Sequence, residues 1–377
     1  MARTILVSLV SDQTIPNVLF IRDNPPADQY LFISTEGMEK KHIVPNIQKA
    51  CNGWISKNSK TILVEEDSLV DFEKKLGETL EVEDGDHFLV NITGGTKIMS
   101  LGAYNFFTRI GSSSIYYLPL GKNHFRQVFP IIKNKTREIN FKINLKDYLE
   151  ANGVTIQSKA FSQKNQLIRS EEFTTKIFQN FLGDSNLPIK KMVEILRDKK
   201  FRDKKNFKVS SEILEIIKPM RDLGFSPESS EKFTREETNY LTGDWFEEYT
   251  YSLIVNTLNK KDEEIGKGVR VTRGEKTSNE FDVMFTHNNA LYVIECKTDV
   301  ADNEEGKLSQ LFTNTLYKAS TLKKDFGLFV KYFLFSVNDF SKLSDEQKDR
   351  ARVLDIKLIG TEFLSESKKL QDFIKSM

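Results

Sequence analysis

Two cysteines, Cys51 and Cys296, are too few for a disulfide framework, and they form no CxxC pair. Four widely scattered histidines leave no Cys/His zinc pattern. The formal net charge is only +1, from 55 Lys+Arg against 54 Asp+Glu. The strong basic excess of a protein that coats duplex nucleic acid is therefore missing, and any such contact needs a local patch. Long apolar runs are missing too. The stretch Thr4–Val10 is followed at once by Ser11-Asp12-Gln13, which is too short for a signal-peptide core or a membrane span. It reads as a buried first strand. Neither GxxxxGK[ST] nor GxGxxG occurs, which disfavours ATP hydrolysis and NAD chemistry. These absences point to a cytoplasmic protein with no membrane partner.

What is present is a 377-residue chain, too long for one ordinary core, with 39% hydrophobic and 29% charged residues, the range of soluble globular proteins. Short, nearly continuous apolar runs at 4–10, 30–34, 61–64, 88–92 and 114–118 predict strands buried on both faces. Between them, helical spacing appears over 39–55 (Ile43, Ile47, Ala50, Trp54) and over 97–110 (Leu101, Tyr104, Phe107, Thr108). Strand–helix alternation implies an α/β, Rossmann-like parallel sheet over residues 1–148, whose ligands bind beyond the carboxyl ends of the strands. Residues 149–238 read as a helical connector. Its basic run Arg197–Lys205 is more readily a solvated face than a nucleic-acid grip. Residues 239–377 return to mixed α/β structure, with a helix from about Thr242 to Leu258, a β region over 269–298, and strands at 328–336 and 353–359.

The chemistry concentrates in Glu280-Phe-Asp282 and Glu295-Cys-Lys297, two strand-like runs flanking Asn288-Asn289. Asn tolerates positive φ, so a two-residue type I′ turn is expected there. Paired residue numbers then sum to 577. That register sets Asp282 opposite Glu295 and Glu280 opposite Lys297, with all four side chains on one face and opposed Cβ atoms ~5 Å apart. Carboxylates that close repel, and a divalent cation removes the conflict; Mg²⁺ and Mn²⁺ prefer carboxylate oxygens and water. Lys297 beside such a metal could orient a water and stabilise charge on a phosphorane-like transition state. The bland alternative is a charged solvent face carrying a Glu280–Lys297 ion pair. Against it, Leu291–Ile294 is apolar on both parities, so Glu295 and Lys297 end a buried strand.

A second constellation, Thr93-Gly94-Gly95-Thr96-Lys97, sits where a strand ends and a helix begins. Two glycines admit close backbone approach, and the helix N-terminal amides with Lys97 make an anion site. Ser11, Asp12, Gln13 and Thr14 follow the first strand. In a right-handed doubly wound sheet the first and fourth strands are neighbours, so both loops should face one crevice.

Asp282, a hairpin and Glu295-Cys296-Lys297 resemble the PD-(D/E)XK nuclease motif, with Phe281 where that family usually has proline. An acidic residue from the preceding helix often joins the metal site of that family. Gly243–Tyr249 matches that helix, and Glu247 fits best, with Glu248 as fallback. The two N-terminal loops resemble those of CARF domains, sensors of cyclic oligoadenylates. The combination resembles the CRISPR ancillary nucleases of the Card/Can type over nearly the whole chain, least across residues 150–235. The resemblance implies a homodimer that binds one cyclic tetraadenylate across two CARF domains. It also implies Mn²⁺- or Mg²⁺-dependent cleavage of single-stranded DNA and RNA, with nicking of duplex DNA, in type III CRISPR defence. Two other readings stay open: a ligand-sensing regulator with a degenerate nuclease fold, and a restriction-type nuclease with a different trigger.

Overall fold

The computed structural model describes residues 2–377 apart from 52, 56–57, 111, 134, 158–170, 183–187, 203, 274–276, 299–304 and 338. The first half is built on a seven-stranded sheet. Its strands are β1 (Thr4–Leu9), β2 (Gln29–Ser34), β3 (Ser59–Leu63), β4 (His87–Asn91), β5 (Ser113–Tyr117), β6 (His124–Phe129) and β7 (Thr136–Glu138). Their order is β3-β2-β1-β4-β5-β6-β7, parallel through β5 and antiparallel beyond it. The apolar runs form strands as expected, and β1 and β4 are neighbours. In β1 and β2 five of six residues are buried, which is the both-face burial that a continuous apolar run encodes.

Two helix readings need correction. The 39–55 helix is two helices, Glu36–Lys40 and Ile43–Ala50, separated at His42, whose φ of 56° breaks the helical path. In the Lys97–Thr108 helix the buried face is Met99, Gly102, Ala103 and Phe107, while Leu101 is exposed. A Cβ on Gly102 would lie 2.8 Å from the Phe72 ring, so small residues there admit the neighbouring Leu69–Thr79 helix.

The second sheet has order β15-β14-β13-β12-β11-β8. It comprises β8 (Thr155–Ile156), β11 (Ile265–Arg273), β12 (Thr277–His287), β13 (Ala290–Lys297), β14 (Val330–Ser336) and β15 (Ile356–Ile359). The central segment, where described, is mostly helical and carries a two-stranded ribbon, β9 (Asn206–Lys208) with β10 (Lys232–Thr234). It is not free-standing. β8 pairs with β11, and Phe173, Ile177 and Val193 share a core with Trp245, Phe246 and Ile294.

The two halves are also joined. One core cluster runs from Leu6 and Phe20 of the first half to Phe281, Val293 and Phe326 of the second. Tyr148 Oη donates to the Phe326 carbonyl at 3.1 Å, and the side chain of Asn289 accepts from the Ile143 amide at 2.9 Å.

Candidate functional site

Asn288 and Asn289 both take positive φ (48° and 60°), and β12 pairs with β13 from His287↔Ala290 to Val283↔Ile294. The expected turn and register are therefore present. The ladder ends at that last pair, just short of the chemistry. Between the pairs Lys267↔Val283 and Val269↔Phe281 the facing strand carries Gly268, with φ of 52°. Val283 packs on one side of the sheet and Phe281 in the core of the other. The strand thus turns over about Asp282, and the Asp282 carboxylate crosses to accept the Cys296 amide at 2.7 Å.

Lys297 follows it. Its Nζ lies 2.8 Å from Glu295 and 3.3 Å from Asp282. The expected placement of Glu280 is corrected: it pairs with Arg270, its neighbour on β11, at 2.8 Å, because the strand has already turned. Lys318, from the Glu305–Asp325 helix, approaches Glu295 to 3.6 Å. No local pattern marked it, because only the packing of that helix brings it there.

The cluster is electrostatically frustrated. Burial, then the Glu295 charge, pushes the Asp282 carboxyl up to about 6. Burial opposes the Lys297 charge, but Asp282 and Glu295 outweigh it and raise that ammonium. Glu295 is almost fully buried, and its Oε2 has no hydrogen-bond partner among the described residues. An orphaned buried carboxylate oxygen beside a second carboxylate fits a hard divalent cation, with water completing the shell. Among the described residues no group of three or more His, Cys, Asp or Glu converges on one metal position, so a cation held here would rest on this pair.

The helix before the sheet separates its two acids. Glu248 is buried, accepting from Tyr240 Oη at 3.0 Å and bonding Lys267 Nζ at 2.6 Å. Glu247 instead lines a cleft of about 350 Å³ with Arg197, Thr242, Gly243, Cys296, Lys297 and Thr298. A π-turn at Tyr240–Asp244 opens that helix.

At the other end of the chain the loops that follow β1 and β4 meet. A Cβ on Gly94 would lie 2.3 Å from the Leu9 carbonyl oxygen, so only glycine allows this approach. Gly95 has φ of 73°. Asn91 and Asn17, buried, brace the loops: Asn91 donates to Asn17 at 2.8 Å, and Asn17 to the Leu9 carbonyl at 2.9 Å. Thr96 caps the Lys97–Thr108 helix through the Met99 amide at 3.1 Å, and Lys97 is exposed.

A cleft of about 920 Å³ takes in Asp12, Gln13 and Thr14 with Lys41, Arg273 and Lys323, but neither Ser11 nor any of Thr93–Lys97 lines it. Several loop side chains are also engaged within the chain. Asp12 pairs with Lys41 at 2.9 Å, Thr93 Oγ1 bonds Asn91 and accepts the Leu118 amide, and Gln13 accepts from the Leu328 amide. Thr14 is buried. Among the described residues no helix is long and apolar enough to cross a membrane.

Two family models match the chain: the Card1 CARF domain over residues 5–148, and the Card1-like endonuclease domain over residues 234–376. No curated protein sequence matches it. Among solved structures, Can2 from Sulfobacillus thermosulfidooxidans in complex with cyclic tetra-adenylate is 21% identical with a TM-score of 0.75, over 98% of this chain and 99% of that one. Protein VC1899 from Vibrio cholerae is 19% identical with a TM-score of 0.76, over 99% and 98%. A type III CRISPR defence DNA nuclease activated by cyclic oligoadenylate is 16% identical with a TM-score of 0.55, over 89% of this chain and 45% of that one. With a CARF domain on the first sheet and an endonuclease domain on the second, the chain belongs to the Card1-type fusions of a CARF sensor with a nuclease.

Proposed function

We propose that the protein is a cyclic tetraadenylate-activated, Mn²⁺- or Mg²⁺-dependent endonuclease of type III CRISPR defence, acting in the cytoplasm as a homodimer on single-stranded DNA and RNA and nicking duplex DNA. In this reading residues 1–148 sense the activator, 149–238 connect, and 239–377 cut. The observation that carries it is the part-buried Asp282–Lys297–Glu295 cluster with its orphaned, buried Glu295 oxygen. A buried carboxylate and a largely covered one sharing a single ammonium are hard to justify as a structural device, since desolvation offsets much of their attraction.

Asp282 and Glu295 would hold the cation. When bound, it supplies Lewis acidity toward the phosphodiester and a water of lowered pKa. Lys297, held by both carboxylates, is pre-aimed at the position where phosphoryl oxygens gain charge, and it costs no reorganisation during the reaction. Glu247 reaches the same cleft from its helix and would orient water or a metal-shell ligand. On the sensor, the amides at Gly95–Thr96 and the Lys97 ammonium would take phosphate, and Ser11, Asp12, Gln13, Thr14, Thr93 and Gly94 would shape the contact with base and ribose. The resemblance to Can2 solved with cyclic tetra-adenylate supports that activator.

Cleavage of labelled single-stranded DNA and RNA, with and without cyclic tetraadenylate, in Mn²⁺, Mg²⁺ or a chelator, tests the whole reading. Cleavage that needs both additions supports it. Metal-dependent cleavage indifferent to the activator would leave a nuclease with another trigger, and no cleavage in any condition would leave a sensing regulator.

A further inference from the structure

The central segment, matched by neither family model up to residue 233, is not electrically neutral. Between positions 190 and 208 it carries nine basic residues against three acidic ones, in a chain whose total is +1. Arg197 opens the densest part. It ends the Pro188–Leu196 helix, and its Nη2 donates to Thr298 Oγ1 at 2.8 Å and to the Thr242 carbonyl at 3.0 Å. Those bonds fix the guanidinium in the wall of the cleft that holds Glu247 and Lys297.

From Arg197 the chain passes exposed Lys204 and Lys205 into β9, and β10 returns through the Arg235–Asn239 helix to the Tyr240–Asp244 turn in the same wall. Both strands of the ribbon therefore lead to the cleft. One side of the ribbon is anchored by Phe207 and Phe233, whose rings lie 5.3 Å apart. On the other, Lys208 stands directly opposite Lys232, and both are exposed. Like charges directly opposed across a strand pair destabilise it, so folding alone gives no reason for this arrangement. A polyanion lying along the ribbon does.

We propose that the ribbon is the track for the substrate strand: the phosphodiester backbone of a single-stranded nucleic acid runs along Lys204–Lys205 and Lys208–Lys232, passes Arg197 and enters the cleft at Lys297. Charge complementarity favours this occupant, and a narrow line of lysines suits one strand where a near-neutral chain cannot coat a duplex. The inference rests on the nuclease reading and adds the path by which substrate arrives.

The test is binding of a fluorescent single-stranded oligonucleotide, as DNA and as RNA, to the full-length protein in a chelator across a salt series. Each lost phosphate contact makes the fall of log affinity with log salt shallower by about 0.7. The double variant Lys208→Gln/Lys232→Gln should bind about tenfold more weakly at low salt, with a slope reduced by about 1.4, and should melt no lower than wild type. Lys74→Gln/Lys75→Gln, exposed on the first half, serves as a charge-matched control and should match wild type. A slope reduced for only one of the two polymers supports a track selective for that polymer. Affinity and slope equal to wild type for both would overturn the track, as would weaker binding with an unchanged slope. If wild type cuts with activator and metal but the double variant binds like it, only the track falls. If wild type neither binds nor cuts, the nuclease reading falls and takes the track with it.

Discussion

Gln13 Oε1 accepts a hydrogen bond of 2.8 Å from the backbone amide of Leu328, 315 positions away. Gln13 belongs to the loop after β1 in the CARF domain. Leu328 stands two residues before β14, which pairs in parallel with β13 up to Lys297↔Ser336. The loop after β1 thus holds the root of a strand whose neighbour carries Lys297. Gly327, with φ of 77°, lets the backbone come this close: a Cβ there would sit 3.1 Å from Gln13 Oε1. A ligand acts on a distant site only by binding two arrangements unequally. We expect activator binding to draw Gln13 off the Leu328 amide, so Gln13→Ala should raise cleavage without activator. Rates with and without cyclic tetraadenylate check this, and a variant with wild-type basal rate and full activation would detach Gln13 from the coupling.

Asp282→Asn and Glu295→Gln should each abolish cleavage while preserving the fold and activator binding, since each removes half of the donor pair. Lys297→Ala should slow cleavage by about 10²–10³-fold, the worth of one pre-aimed electrostatic contact. Single-turnover rates at saturating metal, with activator binding measured on the same samples, decide it. Full activity in either carboxylate variant would remove the metal assignment.

Stability should carry the mark of Asp282 as well. Its folded-state pKa, about 6, lies above the ordinary carboxylate value, so the folded protein holds this proton more tightly than the unfolded chain does. The resulting stabilisation is complete below about pH 4 and is lost as the pH rises through about 6. In metal-free buffer the melting temperature of Asp282→Asn, relative to wild type, should therefore climb between those pH values and level off above them. Added Mn²⁺ should raise wild type and leave the variant unmoved. A difference that stays flat with pH would contradict the frustrated cluster.

Two adjacent glutamates should fail in different ways. Glu248→Ala strands the buried Lys267 ammonium, and breaking a buried pair from one side costs about 3–5 kcal/mol, so loss of fold is expected. Glu247→Ala should leave melting nearly unchanged and raise the metal concentration needed for cleavage. Thermal melts and metal titrations on both variants separate the roles, and a destabilised Glu247→Ala with an ordinary metal requirement would reverse the assignment.

Much of this was legible in the sequence because local rules decide it. Apolar runs specify strands buried on both faces, and Asn288-Asn289 specifies the hairpin turn and the register up to Val283↔Ile294. What escaped was set by contacts distant in sequence. An ideal ladder extended past Asp282 sets Glu280 opposite Lys297, but the turnover about Asp282, at the level of Gly268, ends that ladder. Spacing singles out Leu101, whereas Gly102 and Ala103 join the packed face because a neighbouring helix needs room. Lys318 and Arg197 reach the cleft from other elements, and no one-dimensional spacing reveals that. The basic run at Arg197 was visible, but its position was not.

The turn residue Asn289 has one more consequence. Its side chain accepts from the Ile143 amide and donates to the Phe141 carbonyl, both just beyond β7, and to the Asn123 side chain immediately before β6. The hairpin carrying Asp282, Glu295 and Lys297 is therefore seated in a socket made by the other half of the chain. A sheet strand that slips by one residue turns every side chain to the opposite face, so this socket also guards the aim of Glu295 and Lys297. The two halves are consequently poor candidates for exchange as interchangeable cassettes. A chimera that joins this nuclease to a foreign sensor would have to carry residues 123–143 along with it, or rebuild the socket from the new partner.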